Sequence, residues 1–225
     1  MGSQLQPGSS GCCRVVVIDS GINLRHPGVR EPLGGSGIPV IDGGAYGRSG
    51  RTEQTGIGDR IGHGTWVAAS ILAIAPNCEL VSLRVFDDSV VCSVEALLSA
   101  LEASRDFEPD LVNLSVGTTA IDRIEELRRT VELLRASETR LVAPATVSGL
   151  ASYPGSLEGV DAVVPDPNQP RTAPECREVS GRPVWFASPR GPSLDRQPPP
   201  LCEGASLATA HVTGFLAATT TGRPR

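Results

Sequence analysis

Apolar residues in this chain fall into short continuous runs and helically spaced sets, and the two kinds alternate. Val15 to Ile18 is an unbroken apolar run, entered from Arg14 and ended by Asp19, Ser20 and Gly21. Such a run predicts a strand covered on both faces, as in a parallel sheet. Asn23 to Arg60 is rich in Gly and Pro and predicts loop, with room for one short strand at Ile38 to Ile41. His63 to Ile74 is apolar on nearly every side and predicts a buried helix, stopped by Pro76 and Asn77. Glu79 to Phe86 predicts a strand. Ser93 is a good N-cap for a helix with Val94, Leu97, Leu98 and Leu101 on one face.

Asp110 to Val116 predicts another strand. Ile121 to Ala136 reads as an amphipathic helix, with Ile121, Ile124, Leu127, Val131 and Leu134 inward. Arg140 to Ala145 and Asp161 to Val164 predict strands. Pro165 to Pro183 is polar and Pro-rich and reads as surface segment, followed by a short strand at Val184 to Ala187. Pro189 to Pro200 predicts loop, and Ala205 to Ala218 the last helix. Alternation of this kind predicts an α/β fold, a mainly parallel twisted sheet with helices on both faces. Sites in such sheets lie at the carboxyl ends of the strands. The expected organisation is a flexible segment over 1–12, one compact domain over 13–219 and a flexible tail over 220–225.

Composition narrows the chemistry. The 225 residues are 40% hydrophobic and 20% charged, as expected for a globular protein with a sizeable core. A net charge of -5 argues against nucleic acid or an anionic membrane as the main partner. All 20 basic residues are Arg, so chemistry that needs a lysine amine is excluded. No apolar run reaches the roughly 18 residues of a membrane span. Met1 to Gly11 is polar and carries no signal-peptide core, which predicts a cytoplasmic protein. The six cysteines, Cys12, Cys13, Cys78, Cys92, Cys176 and Cys202, show no metal-ligand spacing and read mostly as buried thiols, with a Cys176–Cys202 bridge as the minority reading. Asp42, Asp59, Asp87 and Asp88 do not form a calcium-liganding run. No metal and no cofactor are expected.

Three residues stand where nucleophilic catalysis would need them. Ser206 lies between small residues at the start of the last helix, where backbone N–H groups lack partners and favour a developing oxyanion. His63 opens the buried helix between Gly62 and Gly64. Asp19 ends the first strand. A serine nucleophile needs a base to take its proton and a carboxylate to orient that base. Each residue alone reads as well as a cap or strand-end residue, and only their joint occurrence gives them weight. His26 and His211 read as structural.

The motifs around these residues resemble those of the subtilases, the subtilisin-like serine peptidases. Val17 to Ile22 resembles the aspartate motif, and His26-Pro27 follows it. Gly62 to Ala68 resembles the histidine motif HGTxVA. Gly204 to Gly214 resembles the serine motif GTSMATPHVAG, with Ala205, Leu207 and Ala210 among the substituted positions. Asp110 to Gly117 resembles the strand whose end binds the substrate backbone. The chain order Asp, His, Ser is that of subtilisin. The resemblance implies a three-layer subtilisin-like fold and acyl-enzyme peptidase chemistry, with Asp19, His63 and Ser206 as the triad. It also implies a peptide or protein substrate, held by the backbone of Ser115, Val116 and Gly117 with Ala143 and Pro144 beside them.

One family element is missing. Subtilases carry an Asn that donates to the oxyanion, and no Asn occurs between Asn113 and Asn168. Depending on a one-residue shift, Thr146 or Val147 takes its place, and Thr146 has a hydroxyl that can donate. Tyr153 to Gly155 fits the family's downstream motif. The favoured expectation is a narrow-specificity processing endopeptidase, for example one that matures a precursor peptide, with a further protein partner left open. A pseudo-peptidase that only binds peptides is the alternative. An esterase or ligase built on the same acyl-enzyme is not separated from these by sequence.

Overall fold

A computed structural model describes residues 11–36, 40–147, 149–192 and 204–223. Their centre is a nine-stranded sheet in the order β10-β11-β9-β6-β5-β1-β4-β2-β3. Strand β1 (Arg14–Asp19) lies between β4 (Glu79–Arg84) and β5 (Leu111–Leu114), parallel to both. Strands β6 (Arg140–Pro144), β9 (Val160–Pro165) and β11 (Arg182–Ala187) extend the parallel set on the β5 side, and β2 (Val40–Gly47) extends it beyond β4. Two antiparallel pairings finish the edges, β10 (Glu175–Val179) on β11 and the two-residue β3 (Gly50–Arg51) on β2. Thr146–Val147 (β7) and Leu150–Ala151 (β8) form a separate hairpin.

The continuous apolar run of β1 has the expected cause. Val15 and Val17 belong to one core with α2 (His63–Leu72) and α5 (Ala205–Thr219). Val16 and Ile18 point the other way, into a second core with α3 (Val94–Ser104) and α4 (Ile124–Ala136). Residues one apart on a strand face opposite layers, so a strand between two helical layers is apolar at every position. Ser93 caps α3 as expected, its side chain accepting from the Ala96 N–H at 3.2 Å. Among the described residues, no helix is long and apolar enough to cross a membrane.

The structure corrects four expectations. Asn23 to Arg60 is not loop throughout: it holds α1 (Pro27–Ser36) and the eight-residue β2. Glycines at 43, 44 and 47 remove the side chains that signal a strand, and a Cβ at Gly43 would stand 2.5 Å from the Leu83 side chain. Prolines at 27 and 32 hide the helix in the same way. The surface segment Pro165 to Pro183 contains β10, which is exposed along its whole length and so lacks apolar alternation. Its turn, Ser180 and Gly181, has φ of 51° and 77°, the two positive values a tight hairpin needs. Helix α4 starts at Ile124, and Ile121 is 68% exposed before it instead of facing inward. Of the five described cysteines, only Cys13 and Cys78 are buried, while Cys176 is exposed. Cys202, and with it the Cys176–Cys202 pairing, lies outside the described residues, as does most of 1–12. Where the two end segments are described they meet: Gly11 and Gly222 form an antiparallel bridge.

Buried His211 makes a testable stability prediction. Burial holds its pKa down at about 4, against the opposing effect of Nδ1 contact with the Ser188 carbonyl at 3.0 Å. Below its ordinary 6.5 the unfolded chain takes up a proton that the folded chain refuses. The stabilisation is therefore complete above pH 6.5 and is lost as pH falls toward 4, by about 3 kcal/mol for a shift of this size. Denaturant titrations at pH 7 and pH 5 are expected to show the loss, and His211→Asn to flatten it.

Candidate active site

Three strands deliver their ends to one cleft. Asp19 is the last residue of β1, and its carbonyl accepts from Val85 and Phe86 N–H at 2.8 and 3.3 Å, which ties the end of β1 to the loop after β4. His63 is the first residue of α2, preceded by Gly62 at φ 84°, a left-handed conformation that lets the chain turn sharply into the helix. The imidazole Nδ1 lies 2.7 Å from Asp19 Oδ1, with both residues buried. The same oxygen accepts from Ser20 N–H at 2.7 Å, while Asp19 Oδ2 has no hydrogen-bond partner among the described residues. Phe86 stands edge-on to the imidazole, ring centres 6.2 Å apart.

The contact with Asp19 favours the charged form of His63. Burial alone would lower its pKa, but the Asp19 carboxylate, by charge and by hydrogen bond, together with the charge of Asp59, holds it above 6.5. A raised pKa contributes stability below 6.5 and loses it as pH rises, the opposite sign to His211.

Ser206 is the second residue of α5, behind Gly204 at φ 103°. Its N–H is one of the first-turn donors with no partner inside the helix. Its hydroxyl donates to the Ser115 carbonyl at 3.4 Å. His63, Ser206, Ser115, Val116, Gly117, Pro144 and Thr146 all border one cleft of about 440 Å³, with Asp19 behind His63. Thr146 and Val147 both reach it, carried by the β7–β8 hairpin. Ala143 does not: it is fully buried in the core beneath the sheet. It precedes cleft-facing Pro144 on the same strand, and adjacent strand residues face opposite sides.

Sequence reasoning missed the apolar walls supplied by Phe86, Val90 and Pro165. Phe86 and Val90 lie beyond the end of β4 and Pro165 is the last residue of β9, and only the sheet order brings them together. Among the described residues, the cleft lining carries no titratable side chain apart from His63. Among the described residues no group of three or more His, Cys, Asp or Glu side chains is placed to hold a metal ion.

Residues 13–156 match the model of a family described as the Subtilase family. Subtilisin E of Bacillus subtilis (strain 168) is 25% identical, over 91% of this chain and 54% of its own length. Subtilisin DY of Bacillus licheniformis is 28% identical, over 67% of this chain and 55% of its own length. The chain thus spans about half the length of the curated relatives it matches. Among solved structures, a lanthipeptide protease superposes with a TM-score of 0.67 at 20% identity, covering 93% of this chain and 73% of that one. The prenylagaramide maturation protease PagA superposes with a TM-score of 0.60 at 21% identity, covering 92% and 74%.

Proposed function

The chain belongs to the subtilase family, and from that premise we propose that it is a serine endopeptidase acting through an acyl-enzyme. The observation that carries this reading is the Asp19–His63 contact at 2.7 Å, with His63 bordering the same cleft as Ser206. Ser206 attacks the carbonyl carbon of a peptide bond, and His63 Nε2 takes the hydroxyl proton. Asp19 holds the other ring nitrogen and stabilises the imidazolium that forms. The negative oxygen of the tetrahedral intermediate is held by the Ser206 N–H and the Thr146 hydroxyl. His63 then protonates the leaving amine, and water, activated by the same imidazole, frees the acyl group. The peptide lies as an added strand along Ser115 to Gly117.

A narrow substrate, such as a precursor peptide, is the finer reading. Among the described residues the cleft walls offer no charged partner to a substrate side chain, and two proteins of the same fold are a lanthipeptide protease and a prenylagaramide maturation protease. The free thiols of Cys78, Cys92 and Cys176 support a reducing compartment such as the cytoplasm. The formed Asp19–His63 pair favours catalysis over a bare peptide-binding module. A fluorophosphonate probe tests the function: it should label Ser206 and nothing else, and an unlabelled Ser206 in folded protein overturns the reading. Mass spectrometry of products with an added amine separates hydrolysis from ligation.

Thr146 is open to a direct test. Removing its hydroxyl in Thr146→Val is expected to lower kcat by about 10²-fold with little change in KM, the scale of losing one oxyanion donor. Thr146→Asn should retain activity. An unchanged kcat in Thr146→Val would remove Thr146 from the oxyanion site.

A further inference from the structure

Asp59 lies outside the cleft, yet its carboxylate gathers the segments that carry the proposed base. Oδ1 accepts from the Ser20 hydroxyl at 2.9 Å, from Gly62 N–H at 2.8 Å and from Ile61 N–H at 3.1 Å. Oδ2 accepts from Thr65 N–H at 2.9 Å and from the Thr65 hydroxyl at 2.6 Å. Those five donors come from both sides of His63 and from the residue after Asp19. Two further bonds close the frame: the Ser20 hydroxyl accepts from Gly64 N–H at 2.8 Å, and the Thr65 hydroxyl accepts from Asn23 N–H at 3.0 Å.

The mechanical consequence follows from where the bonds run. The N-cap residue of α2 is Gly62, which has no side chain to cap with. Asp59 does that work from three residues further back, placing a negative charge at the positive end of the helix. Unlike an ordinary cap, this one also holds Ser20, and through Ser20 it ties Gly64 to the end of β1. His63 and Asp19 sit on the two segments so joined. We propose that Asp59 is a positioning residue of the site, setting the distance between α2 and β1 at which His63 meets Asp19. The inference rests on the peptidase reading only for its kinetic consequences.

The charged groups bearing on His63 are few. Asp19 approaches from β1 and Asp59 from the turn before α2. From the loop after β4 come Phe86, which is neutral, and Cys92, whose thiol is pushed up to about 11 by burial and by Asp19 and so stays protonated. Arg60 is exposed and engaged with Asp87 and Asp88 at 3.4 and 3.6 Å. Ser206 faces the site from α5 and carries no charge. Removing the Asp59 charge therefore shifts His63 in one direction, toward a lower pKa.

The test is Asp59→Asn, which keeps shape and removes charge and acceptor capacity. The chain has three histidines, so an NMR titration of ring protons resolves His63 whether or not any substrate is known. His63 is expected to titrate at lower pH in Asp59→Asn, the acid limb of kcat/KM to move with it, and kcat to fall about tenfold to a hundredfold with KM little changed. Ser20→Ala cuts the link to Gly64 but leaves the charge, and should lower kcat without moving the limb. A lower melting temperature in Asp59→Asn, with His63 titration unmoved and kcat within twofold, would reduce Asp59 to a helix cap and overturn the proposal. Should Asp59→Asn fail to fold, an unchanged kcat in Ser20→Ala overturns it equally. If the unmodified protein turns over no peptide, the peptidase reading fails, and the His63 titration still decides for Asp59.

Discussion

Ser206→Ala is expected to lower kcat by roughly 10⁶-fold, the scale of losing the nucleophile of a serine-peptidase triad. The same change should leave stability almost untouched. Among the described residues the hydroxyl makes one long hydrogen bond, 3.4 Å to the Ser115 carbonyl, and Ser206 is only half-buried. Alanine suits the first turn of α5, and substitutions away from packed or capping features cost within about 0.5 kcal/mol. A kcat assay beside a thermal melt therefore separates chemistry from folding. Some acceleration over water should survive, because the proposed oxyanion donors and peptide-binding strand remain. Loss of activity together with a large drop in melting temperature would count against this account of Ser206.

Gly64→Ala is the second large effect, and it reaches the site through packing. A Cβ at position 64 would stand 2.3 Å from the Gly21 carbonyl oxygen and 3.0 Å from both Cβ and Oδ1 of Asp19. Gly21 is itself packed against the Gly56 and Gly58 carbonyls, so its backbone has little room to yield. Helix α2 must then draw back from β1 and take His63 with it. Alanine returns about 1 kcal/mol of helix propensity, and overpacking of a tight contact costs about 1–3 kcal/mol or more. The expected outcome is a lower melting temperature and a loss of about 10²-fold or more in kcat, because the Asp19–His63 distance is what changes. Wild-type kcat in Gly64→Ala would show that the two segments do not need this approach.

What could be read from the sequence depended on how local each signal was. Asp19, His63 and Ser206 each lie within a contiguous motif, and the strand end and helix starts that carry them follow from apolar runs. Elements whose neighbours replace their own side chains were illegible: β2 has glycine where the partner strand needs room, and β10 has water on its face instead of a core. Ala143 was misplaced because adjacency along a strand is not adjacency in space. The cleft walls at Phe86, Val90 and Pro165 depend on strand order, which no single stretch of sequence encodes. Asp59 left only a weak trace, an acid four residues before a helix-opening histidine.

The outer edge strand β10 has a consequence for how copies of this chain tolerate one another. Its exposed residues include Glu175, Arg177 and Glu178, with Arg177 paired to Glu175 at 2.6 Å and lying over the Phe186 ring at 4.6 Å. The opposite edge, β3, is two residues long. A charged border on one side and a stub on the other give a neighbouring molecule nothing flat and apolar to zip onto, which is how natural sheets avoid fibrillar growth. Edges of this kind leave sibling molecules without a strand to recruit, even when crowded.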